Sequence, residues 1–124
     1  MSKKLIAALA LMGISSFSNA ACSLSDITLT SVKTKFVSRC SAEDCIVLQG
    51  AAMIENKCSE AVGVQMQIIG LDQDGAAVTV DEFWPASIRN IPPGSYSFSL
   101  DQHLKYDPSI VKIELKVVNV EHWN

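Results

Sequence analysis

The chain has 124 residues, 10 of them basic and 13 acidic, a net charge of −3 and 48% hydrophobic side chains. That length makes one ordinary domain and not two. The acidic balance argues against a nucleic-acid ligand, whose phosphates require clustered Lys and Arg; the longest basic feature, Lys33-Thr34-Lys35 with Arg39 nearby, is read as a solvated strand face.

Residues 1–20 read as a secretory signal peptide. Lys3 and Lys4 form the charged start, residues 5–17 the apolar run, and Ser18-Asn19-Ala20 a small-residue cleavage site. A run of thirteen residues is too short for a membrane-spanning helix, which needs about 20 apolar residues. The expected mature domain is 21–124, periplasmic or secreted, with no stable membrane insertion after cleavage. It retains 8 basic and 13 acidic residues, a net charge of −5. A lipidated Cys22 is the competing reading. Ala21 suits it, but Asn19 stands where Leu is usual, and lipidation would leave one of the other three cysteines unpaired.

All four cysteines fall within 21–58, as expected of a disulfide framework in an exported domain. Segments 27–37 and 46–56 both read as strands joined by a short polar stretch, hence an antiparallel hairpin. Paired positions in a hairpin keep a roughly constant index sum. Cys40 with Cys45 gives 85 and Cys22 with Cys58 gives 80, values that agree once a bulge and loose ends are allowed for. A Cys45–Cys58 bridge would join the ends of one extended strand, about 40 Å apart at about 3.3 Å per residue, against the 4.4–6.8 Å or so that a disulfide tolerates between Cα atoms. The pairing 22–58 and 40–45 is therefore expected. A zinc site is disfavoured by spacings of 17, 4 and 12 intervening residues with no His nearby.

Within 27–37 the apolar parity changes: Ile27 and Leu29 share one face, while Val32, Thr34 and Phe36 fall on the other. A β-bulge near Ser31, or a switch between two sheets, accounts for that. On the next strand Ile46, Leu48, Gly50, Ala52 and Ile54 are expected inward, the small ones allowing a close neighbour. Val62, Val64, Met66 and Ile68 alternate with Gly63, Gln65 and Gln67. Asp72-Gln73-Asp74-Gly75 is a turn before a strand at 76–81. Segment 85–90 is at most a short turn, and Pro92-Pro93-Gly94 opens a strand over 95–100. Val111, Ile113, Leu115 and Val117 alternate with Lys112, Glu114 and Lys116 to close the chain. Six or seven strands at this spacing predict an all-β, two-sheet antiparallel sandwich of immunoglobulin-like type.

Over 46–120 these residues resemble the bacterial FxLYD family of small extracytoplasmic immunoglobulin-like domains. The resemblance rests on Gly50, Asn56, the run ending Leu71-Asp72-Gln73-Asp74-Gly75, Pro93-Gly94-Ser95 with Phe98, and the alternating last strand. Ile68, Gly70 and Leu71 stand in place of the aromatic residues that name the motif. The resemblance implies a sandwich and no catalytic activity.

Chemistry-bearing residues are few. Asp72-x-Asp74-Gly75 invites a calcium reading, but an EF-hand with Gly75 as its invariant glycine would begin at Gly70, so a turn is expected. Asp81 and Glu82 are adjacent on a strand and point to opposite faces. His103 and His122 have no accompanying nucleophile motif and are expected to be exposed or capping. No cofactor or metal is expected. Phe83, Trp84 and Trp123 are the candidate partner contacts. Trp84 is expected in the core, with an exposed anchor on the 83–93 connection as the alternative. The expected function is a non-enzymatic exported module acting through contact with an unidentified protein partner. The alternative is a proteinaceous inhibitor of an extracellular hydrolase such as lysozyme.

Overall fold

A computed structural model describes residues 22–41 and 45–123. The expected leader and its cleavage site lie outside the described residues. After a 3-10 turn, Leu24–Asp26, the chain forms β1 (Ile27–Ser38), β2 (Ile46–Asn56), β3 (Gly63–Leu71), β4 (Ala77–Phe83), β5 (Gly94–Ser99) and β6 (Lys112–Glu121). Two antiparallel three-stranded sheets result, ordered β1-β2-β5 and β4-β3-β6. The chain leaves the first sheet after β2, builds β3 and β4 in the second, and returns to place β5 against β2 before β6 pairs with β3. This is strand order A-B-E facing C′-C-F of the immunoglobulin-like sandwich.

The period-two pattern explains the core. Leu48, Ala52 and Ile54 of β2 face Val64, Met66 and Ile68 of β3, and all six are buried. Phe98, Leu100, Phe83 and Leu115 close the sides. The parity change in β1 is a bulge: Leu29 pairs with Ile54 and Ser31 with Met53, leaving Thr30 as the extra residue. Its hydroxyl donates to the Met53 carbonyl at 3.1 Å. Both disulfides are the expected ones, Cys22–Cys58 and Cys40–Cys45, with Cα separations of 5.6 and 5.5 Å.

Three local readings change. Gly50 is small because its own sheet is crowded: a Cβ there would overlap the Lys33 carbonyl oxygen of β1, so the close neighbour is the adjacent strand and not the facing sheet. The fourth strand runs on through Phe83. Val111 is 66% exposed, because β6 begins only at Lys112 and the preceding turn, with Ile110 N–H donating to the Asp107 carbonyl, breaks the alternation.

Asn56 is a buried polar residue with its amide fully used. Nδ2 donates to the carbonyls of Glu60 (3.1 Å) and Ile91 (2.9 Å), and Oδ1 accepts from the Cys58 N–H (2.9 Å). It ties the 57–62 connection, the 22–58 disulfide and the end of the 84–93 loop to one point.

Candidate functional site

The candidate partner contacts gather at the end of the sandwich where β4 gives way to residues 84–93. Phe83, the last residue of β4, pairs with Met66 on the inner face and is 8% exposed. Its ring lies 6.1 Å from Phe98 and stacks on His103 at 4.1 Å with a 14° interplanar angle. Phe83 is a core residue, and His103 is half-buried against it, neither exposed nor a cap.

Trp84 lies between its two expected positions. It is half-buried, and its ring meets Trp123 edge to face at 5.1 Å and 63°. Trp123 is held by three features. Asn90 Oδ1 accepts from the Trp123 N–H at 2.9 Å, and Asn90 Nδ2 donates to the Trp123 carbonyl at 2.9 Å. The side-chain amide thus makes the pair of bonds that a neighbouring strand would make. The indole covers Gly63, where any Cβ would overlap Nε1. Nε1 itself is buried without an acceptor among the described residues, so the ring is fixed by shape and main-chain bonds.

From this platform the chain makes two successive turns, with Ser87 N–H donating to the Trp84 carbonyl (2.9 Å) and Arg89 N–H to the Ala86 carbonyl (3.1 Å). Ser87 occupies the left-handed region at φ 59°, unusual for a residue with a Cβ. Ala86 is buried and anchors the loop. Ile91 and Val62 exchange both main-chain bonds (3.1 and 2.7 Å) and close it. Ile88 is left at the tip, 74% exposed, with Arg89 exposed beside it.

The other candidates are not brought into a reacting constellation. Asp72 Oδ1 accepts from the N–H groups of Asp74 and Ala76, both at 2.9 Å, and Gly75 takes φ 84°; the motif is a turn closed by its own carboxylate. Asp81 pairs with Ile68 on the inner face, while Glu82 sits outward beside Gln67 and accepts from its Nε2 at 3.1 Å. His103 and Asp81 share a groove of about 470 Å³ with Thr79, Gln102 and Lys105. A shallower hollow of about 410 Å³ lies on the outer face of the first sheet between Lys33, Lys35, Ala51 and Asp101, whose Oδ1 is taken by the Gly50 N–H (2.8 Å). Cys22, Cys58 and Asp26 approach with metal-like spacing, but the two sulfurs are joined to each other and supply no thiolate. The Asp107 carboxyl is held below its usual range by the Ser109 hydroxyl (2.6 Å) and N–H (2.9 Å), a local turn effect.

Sequence reasoning found the aromatic cluster but missed Asn90, Gly63 and Ile88. Gly63 reads only as an outward position of an alternating strand and Asn90 only as the end of a short turn, so neither signals that it holds a distant Trp, and Ile88 sits in a segment with no alternation. Compared with protein-family models, with curated proteins and with solved structures, the chain matches none.

Proposed function

We propose that this chain is a non-enzymatic, exported immunoglobulin-like module that works in the periplasm or outside the cell through protein–protein contact. Its partner-binding face is the 84–90 loop. The observation that carries this reading is Ile88, the most exposed of the large hydrophobic residues among the described ones, at the tip of a loop fixed at both ends. A fixed loop loses little conformational freedom on binding, which favours affinity from a small contact. Trp84 and Trp123 act as its platform rather than as the contact itself. The two disulfides fit an oxidising compartment, and among the described residues no helix is long and apolar enough to cross a membrane. The resemblance to the FxLYD pattern supports the same reading.

A photo-crosslinking residue placed at position 88 in producing cells tests it. One discrete adduct is expected from position 88 and none from position 33, an exposed residue of β1, with Ile88→Asp abolishing capture by the unlabelled protein. Equal labelling from both positions, or none from 88, overturns the proposal. Mixing the purified protein with secreted hydrolases, lysozyme included, separates the inhibitor alternative, which requires a stoichiometric fall in turnover.

A further inference from the structure

We infer that the outer edge of β6 is a self-pairing edge, to which a second copy of this chain adds antiparallel about a dyad at Leu115, with Glu114 of each copy opposite Lys116 of the other. Among the described residues β6 pairs only with β3, so its other side carries unpaired main-chain groups. The seam there is only partly closed, although β1 and the 3-10 turn approach β6 across it. Ile113 and Val117 remain half-buried, whereas Met66 and Ile68 of the neighbouring β3 are fully buried. In the opposite sheet Val32 shares the inner face with Ala52 yet is 37% exposed. Near the start of β6, Thr34 and Phe36 of β1 line a notch of about 200 Å³ with residues 110–113, and among the described residues no strand other than β3 pairs with β6.

The side chains specify the occupant. A dyad perpendicular to the sheet keeps each face on its own side, so it must pass through a residue; passing between two residues would oppose an inner side chain to an outer one. Centring it on Glu114 or Lys116 opposes like charges, which is destabilising. Centring on Ile113 pairs only the first residues of the strand. Centring on Val117 or any later residue meets the bulge at Val118, the extra residue where Met66 pairs with Val117 and Gln65 with Asn119, or pairs only the last residues of the strand. Leu115 is the remaining centre. It sets Ile113 opposite Val117 on the inner face and makes two reciprocal Glu114–Lys116 pairs on the outer one. The other edges lack such a code. A β1 pair centred on Thr34 opposes Lys33 to Lys35, β4 would bury its inward Asp81 (the partner of Ile68), and β5 has no charged residue to fix a register.

Sedimentation of the oxidised protein over a range of concentrations is the test. A monomer–dimer equilibrium is expected. Glu114→Lys should weaken it about tenfold or more by replacing both attractions with repulsions, and the swap Glu114→Lys with Lys116→Glu should restore it. Both positions are exposed, so far-UV circular dichroism should be unchanged in each variant. A wild-type protein that stays monomeric at its solubility limit, or a dimer indifferent to Glu114→Lys, or a swap that fails to restore association in a folded protein, overturns the inference. Ile88→Asp should leave the dimer intact, which keeps this result separate from the loop reading.

Discussion

Asn90 and Gly63 decide where Trp123 sits, and through it what Trp84 touches. Because the two Asn90 bonds go to main-chain groups, Asn90→Ala should free the last residues at a stability cost of about 1–3 kcal/mol. Gly63→Ala should displace the same indole by overlap. Both variants are expected to give the same readout, a red-shifted and more readily quenched tryptophan emission. Trp84→Ala loses an edge-to-face pair and a half-buried ring, so about 2–3 kcal/mol is expected. That is below the 3–5 kcal/mol or so of a fully buried aromatic and well above the near-zero effect of a free-standing anchor. Urea unfolding followed by circular dichroism measures it. The sequence offered core or interface for Trp84. The half-buried answer depends on a residue 39 positions away being brought alongside, and no local pattern encodes that.

At the level of elements, much more was legible, because strand geometry is local. Antiparallel pairing makes the index sum an observable, and it selects the two disulfides that the structure contains. The bulge in β1 was visible as a parity change in the apolar residues, and it lies at Thr30, between Leu29 and Ser31. What alternation does not encode is which strand lies beside which; it marks the buried face and leaves the neighbour open. The two bridges should differ in weight. Cys22–Cys58 spans 36 residues and Cys40–Cys45 spans 5, so the chain-entropy account gives about 4 and about 2 kcal/mol respectively. Replacing each pair by serines and comparing urea midpoints checks the order. The longer bridge also braces the Asn56 junction, so its loss should increase amide exchange at position 58 and at Ile91, while loss of the shorter one should act only at the tip of the β1–β2 hairpin.

For the whole molecule, the inner face and the exposed loop make opposite demands on the same kind of side chain. The residues that carry the family resemblance have structural duties here: Gly50 relieves crowding between β1 and β2, Asn56 satisfies buried main-chain groups, and Asp72 with Gly75 closes a turn. Such residues specify a sandwich and leave its partner unstated, since function resides in sites placed on a fold. Met66 and Ile88 separate the two demands by experiment. Met66 is fully buried between the sheets, so Met66→Ala should cost about 2–5 kcal/mol, a large share of the 5–15 kcal/mol or so available to a domain. Ile88 touches water on most of its surface, so Ile88→Asp should move the urea midpoint by no more than about 0.5 kcal/mol. Partner capture should show the reverse order. Met66→Ala, wherever it remains folded, should retain its partner, and Ile88→Asp should lose it. A partner lost in proportion to stability in both variants would mean that binding reads the fold as a whole, and that the loop is only its most exposed part.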